Sequence, residues 1–163
     1  MSTDNDAQGL TDRVGDQGDI AVTVLVPTRN EGDNVNRLLL RLAAHFAETG
    51  RSYEVLFVDD SDRQLLRATI AAQDEACVLV THGTDSMVET ARVLAGIEGK
   101  TIVLTGALSP ARFEGSDAEF NIGCAVGAVQ SLPPGTYIAM NGRIWDPLKV
   151  RKNVDANRFE AIG

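Results

Sequence analysis

The chain has 163 residues, 44% of them hydrophobic, and a net charge of -8. That is enough for one domain with a real core. The acidic balance argues against nucleic-acid binding, which relies on Lys and Arg to neutralise phosphates, and no apolar run is long enough to span a bilayer.

Residues 1–20 form an acidic tail, with Asp4, Asp6, Asp12, Asp16 and Asp19 against Arg13 alone. Large apolar side chains are almost absent there, so the tail is expected to stay disordered. It lacks the apolar stretch of a secretory signal, which makes the cytoplasm the expected compartment. Residues 21–163 are expected to form a single domain.

Five segments then read as buried strands: Val22–Val26, Glu54–Val58, Cys77–Val80, Thr101–Leu104 and Tyr137–Met140. They are almost continuously apolar rather than alternating, the pattern of a parallel sheet covered on both faces. Helical patterns lie between them. Leu38, Leu39, Leu42 and Phe46 recur at helical spacing before Gly50, a stop signal. Ser61-x-x-Gln64, Ser86-x-x-Glu89 and Ser116-x-x-Glu119 each have the form of a capping box ahead of a helix. Gly96 is expected to end the second of these helices. Gly123 and Gly127 weaken the third, which suggests close packing onto the sheet. The strand–helix alternation predicts an α/β fold: a doubly wound, mainly parallel five-stranded sheet with helices on both faces.

Ligands of such sheets bind at the carboxyl ends of the strands. The tips here are PTRNEGD, DDSD, THGTD, TGALSPARFEGSD and NGRIWD. They hold the residues with chemistry. Thr84 and Asp85 supply a hydroxyl and a carboxylate, and Lys152 supplies an amine, the parts needed to activate a nucleophile against a carbonyl. Each also has a plainer reading: a Thr-Asp pair at a helix start is often a cap, and a lysine is often solvated. His82 reads as a loop-packing residue, Ser116 and Asp117 as a helix cap, and Arg112 as a surface residue. Cys77 and Cys124 are isolated and form no CxxC pair, so no metal site is expected.

The motifs THGTDSMVET, LTGAL, SDAEFN and MNGRIWD-x-x-x-VRKN closely resemble the asparaginase/glutaminase family over about residues 62–159. The resemblance implies hydrolysis of the side-chain amide of a small amino acid amide, L-asparagine or L-glutamine, to the acid and ammonia, with no metal or organic cofactor. It makes Thr84, Asp85 and Lys152 a catalytic triad, with Asp85 holding the substrate's amino group and Gly83 and Ser86 completing the substrate loop. Ser86 stands where many members have threonine. Homo-oligomers are implied by the family alone.

Asparaginases also open with a TGGTI-like motif bearing the primary nucleophile, and this chain has none. Thr28 follows the first strand, roughly where that nucleophile would sit, between Pro27 and Arg29 rather than glycines. Loss of a covalent nucleophile costs on the order of 10⁶ in turnover, so weak activity is expected. VTVLVPTRNEGD and YEVLFVDDSD instead resemble the start of family 2 glycosyltransferases of the dolichyl-phosphate mannosyltransferase type, over about residues 22–62. That resemblance implies nucleotide binding by Thr28, Glu31, Asp59 and Asp60. The later Asp-x-Asp of that family is missing. The chain therefore reads as a mosaic joined near Asp60–Asp62, and a non-catalytic or small-ligand-binding domain is the alternative to an enzyme.

Overall fold

The computed structural model describes residues 11–12, 20–27, 52–58, 63–109 and 116–163. Before residue 63, side chains are described for Thr23 and Val24 alone. In chain order the elements are β1 (Thr11–Asp12), β2 (Ile20–Pro27), β3 (Ser52–Val58), α1 (Arg63–Ala72), β4 (Cys77–Thr81), α2 (Met87–Leu94), β5 (Thr101–Thr105), α3 (Ala118–Ser131), β6 (Gly135–Met140), β7 (Arg143–Trp145), β8 (Val150–Asn153) and β9 (Arg158–Ala161). The helix expected around Leu38–Phe46 and the capping residue Ser61 lie outside the described residues.

All five expected strands are present. They run parallel in the order β3-β2-β4-β5-β6. Two short antiparallel strands extend this sheet to seven: β1 pairs with β3, and β7 with β6. Thr11–Asp12, inside the acidic segment, thus contribute an edge strand. β6 and β7 meet at a two-residue turn, Asn141-Gly142, with Met140 opposite Arg143. Both turn residues have positive φ, 53° and 73°, the type I′ geometry that Asn-Gly favours because it matches strand twist.

Successive strand side chains point to opposite faces, and both faces are buried. Val78, Val80, Ile102, Leu104, Ile138 and Met140 pack with Leu66 and Ile70 of α1 and Met87, Val88, Ala91 and Leu94 of α2. Leu79, Val103 and Ala139 point the other way, joining Val24 and Ala125, Val126, Ala128 and Val129 of α3. Helices therefore cover both faces, as the unbroken apolar runs require.

Two local expectations are corrected. Ser86 is the N-cap residue of α2, yet its side chain makes no capping hydrogen bond. Gly123 and Gly127 are exposed, and a Cβ at either would meet nothing within 4 Å. They are not packed against the sheet; the small Ala125 and Ala128 are.

β8 and β9 form a separate antiparallel hairpin. Val150 and the nearly buried Phe159 anchor it in the α1–α2 core. Arg92 of α2 clamps it further, donating to the carbonyls of Pro147 (2.9 Å) and Val150 (3.3 Å).

Candidate active site

The sheet order reverses between β2 and β4: β3 lies outside β2, while β5 and β6 extend outward from β4. A crevice opens at the carboxyl ends of such a pair because the connections leave in opposite directions. The loop after β4 carries His82, Gly83, Thr84, Asp85 and Ser86 into that position. Gly83 and Asp85 are exposed, and Thr84 and Ser86 are half-buried.

The β8–β9 hairpin brings the amine. Lys152 is two residues beyond the core residue Val150 and directly opposite Phe159. It shares their face, whereas Arg151 points outward to pair with Glu160 at 2.7 Å. The Lys152 Nζ reaches Thr84 Oγ1 at 3.4 Å across 68 residues of sequence. It donates a shorter bond, 2.7 Å, to Asn157 Oδ1 and lies 5.4 Å from the Phe159 ring centroid. Partial burial pushes the amine below the ordinary lysine range; the carboxylates of Asp85 and Asp117 pull the other way without cancelling the shift.

Asp117 is more than the helix cap its sequence suggests. It occupies the N-cap position of α3 but makes no side-chain capping bond. Its carboxylate turns instead to the loop after β5. It accepts from the backbone N–H groups of Leu108 (3.2 Å) and Ser109 (3.0 Å) and from Asn121 Nδ2 (2.9 Å). Burial raises the carboxyl, but these hydrogen bonds outweigh it and hold Asp117 below the usual carboxylate range. Ser116 Oγ donates to the Ser109 carbonyl at 2.8 Å and accepts from the Ala118 N–H at 3.2 Å.

The fully buried Asn121 completes this lattice. Its amide donates to the Gly106 carbonyl at 2.9 Å, and its oxygen accepts from the Asn141 N–H at 2.8 Å. The tips of β5 and β6 are thereby tied to the start of α3. Sequence reading did not single out Asn121; the SDAEFN motif was the available signal. Asn157 had no signal beyond its place in a turn.

His82 has a structural environment. Its Nε2 lies 3.0 Å from Thr90 Oγ1, and its Nδ1 lies 2.8 Å from the Gly83 carbonyl oxygen. Arg63 Nε donates to the same Thr90 hydroxyl at 3.0 Å. Gly106 permits the close approach of the two loops: a Cβ there would sit 2.2 Å from the His82 carbonyl oxygen. At Gly83 a Cβ would meet open space.

A cleft of about 330 Å³ lies beyond Phe159, lined by Leu108, Met140, Asn141, Arg143, Trp145, Arg158 and Phe159. Thr84, Asp85 and Lys152 do not line it, so the candidate site is marked by the convergence of these side chains and not by this cleft. Thr28, Glu31, Asp59, Asp60 and Arg112 lie outside the described residues. Cys77 and Cys124 are free and half-buried. Among the described residues no three His, Cys, Asp or Glu side chains could hold a metal ion, and no helix is long and apolar enough to cross a membrane.

Fold and site together define a doubly wound α/β domain with a hydroxyl–amine pair at its switch point. Residues 57–163 match the family model described as Asparaginase, N-terminal. The chain belongs to the asparaginase family. It is 39% identical to L-asparaginase 2-3 of Saccharomyces cerevisiae over 103 residues, which cover 58% of this chain and 28% of that protein. It is 29% identical to the L-asparaginase of Thermococcus kodakarensis over 139 residues, covering 76% of this chain and 42% of that one. The chain thus spans less than half the length of these relatives. The solved thermostable L-asparaginase from Thermococcus kodakarensis superposes with a TM-score of 0.64 at 23% identity, covering 87% of this chain and 51% of that chain.

Proposed function

We propose that this chain is an amidohydrolase of the asparaginase type, acting on the side-chain amide of L-asparagine or L-glutamine. The observation that carries the reading is the Lys152 amine lying 3.4 Å from the Thr84 hydroxyl, with the exposed Asp85 carboxylate next to it in sequence. In this reading the neutral amine takes a proton from water held at the Thr84 hydroxyl. The water oxygen bonds to the amide carbon, the C–N bond breaks, and the nitrogen leaves as ammonia after receiving the proton back. Asp85 holds the substrate's ammonium. A lowered lysine pKa supports the base role, because more of the amine is neutral near neutral pH. Missing TGGTI keeps the expected turnover slow.

Ammonia release from L-asparagine and L-glutamine tests this reading. It expects slow release by the parent chain and at least a hundredfold less by Thr84→Ala. No release by the parent, or equal release by both, contradicts it. The missing motif favours a second reading, binding without turnover; calorimetric titration with aspartate and asparagine separates the two. Nucleotide-sugar binding by Thr28, Glu31, Asp59 and Asp60 rests on the sequence alone, and titration with GDP and UDP sugars tests it. A homo-oligomer and a cytoplasmic location complete the proposal; sedimentation and cell fractionation check them.

A further inference from the structure

The shortest contact of the Lys152 amine is not with the threonine it is proposed to serve. It is the 2.7 Å bond to Asn157 Oδ1. Asn157 ends the four-residue turn between Asn153 and Arg158, the last pair of the β8–β9 hairpin. The turn is closed by the Asn157 N–H donating to the Val154 carbonyl at 3.1 Å and the Ala156 N–H donating to Asn153 Oδ1 at 2.9 Å. Asn157 itself sits at φ 44°. Glycine is the residue that takes this left-handed conformation most easily; asparagine tolerates it at some cost. Both residues fit the turn, but only asparagine brings a side-chain amide to it. What asparagine adds is an amide oxygen, and that oxygen is spent on Lys152.

The geometry makes the contact consequential. Lysine has four rotatable bonds and, left to itself, would explore many rotamers. Three groups confine its amine: the Asn157 oxygen, the Phe159 ring and the Thr84 hydroxyl. The first two belong to the hairpin that carries the lysine, so the hairpin aims its own amine across to the β4–α2 loop. An amide oxygen does this without charge. The charged groups that reach the amine from other elements are Asp85 of the β4–α2 loop and Asp117 at the start of α3, both favouring the ammonium. On the hairpin, Arg151 and Arg158 engage Glu160, and Asp155 lies in the exposed turn. A third carboxylate beside Lys152 would push the amine back toward the charged form.

We infer that Asn157 is a positioning residue for Lys152, a neutral acceptor that holds the amine at Thr84 while leaving it able to lose its proton. This rests on the proposed amidohydrolase reading for its catalytic consequence, but the contact can be measured without catalysis. The experiment compares the parent chain with Asn157→Gly and Asn157→Asp. Glycine suits the left-handed turn, so Asn157→Gly folds and keeps or gains thermal stability. The Lys152 side-chain methylene signal, assigned with Lys152→Arg, is followed by NMR against pH, and kcat and KM for ammonia release are measured in parallel.

Asn157→Gly is expected to shift and sharpen the Lys152 signal as the amine is freed. It also lowers kcat about tenfold or more with KM little changed, the mark of a misaimed group. Asn157→Asp restores an oxygen but adds charge, raising the Lys152 midpoint by about one pH unit or more. Its activity then lags at neutral pH and recovers toward the parent value at high pH. A Lys152 signal unchanged in both variants, or parent-like kcat and pH profile in Asn157→Gly, overturns the inference. If the parent releases no ammonia, the amidohydrolase reading fails while the NMR comparison still decides the contact.

Discussion

Lys152 and Asp117 are both shifted in pKa, for opposite reasons that lead to opposite tests. Desolvation lowers Lys152, so its neutral fraction grows as pH rises toward a midpoint below the ordinary ~10.4. If the neutral amine is the base, ammonia release climbs with pH and levels off below that value; a pH–rate profile checks this. A rate that falls through that range contradicts the assignment. Asp117 is held ionised in the fold by four donors that converge on it, the Leu108 and Ser109 N–H groups and the side-chain amides of Asn121 and Asn141. Its folded pKa lies below the unfolded value of ~3.9, so its contribution is present above that pH and lost as pH falls through the folded value. Asp117→Asn leaves a backbone N–H without its acceptor and should cost about 1–3 kcal/mol at neutral pH. The difference from the parent should shrink below about pH 4, when measured by denaturant unfolding. The sequence marked Thr84, Asp85 and Lys152 because each stands in a motif. It did not mark Asp117 as a hub, since its partners lie on a loop whose path only the folded chain defines.

At the level of elements, the strands were legible because unbroken apolar runs demand burial on both faces. The caps were not. A Ser-x-x-Glu pattern permits a capping bond without requiring one, and at Ser86 the hydroxyl makes none. Exposure also decides the glycines of α3. Gly123→Ala and Gly127→Ala add a methyl in open space and should each stabilise the chain by about 0.5–1 kcal/mol. Gly106→Ala is the opposite case. Its methyl would collide with the His82 backbone carbonyl at 2.2 Å, at a cost of about 3 kcal/mol or more. Thermal melts of the three variants should therefore move in two directions. The β8–β9 hairpin hangs on Val150, Phe159 and the Arg92 clamp. Phe159→Ala removes both a core anchor and one wall around the amine; about 3–4 kcal/mol of stability should go with it.

Over the whole molecule, a single topological feature places the chemistry. Strand order reverses between β2 and β4, and the loop at the β4 tip carries Thr84. The separate hairpin folds back over α2 to bring Lys152 from 68 residues away. Thr84 stands on the β4–α2 loop and Lys152 on the β8–β9 hairpin, two elements that their 3.4 Å contact joins. Their meeting is the claim on which the functional reading turns, and it can be tested by whether they act as one unit. Residues acting together lose most of their effect when either is removed. The decisive measurement is ammonia release from L-asparagine by Thr84→Ala, Lys152→Met and the double variant, each shown by circular dichroism to be folded. Each single change should reduce the rate as far as both together. Losses that simply multiply, or single variants as active as the parent, would contradict the account.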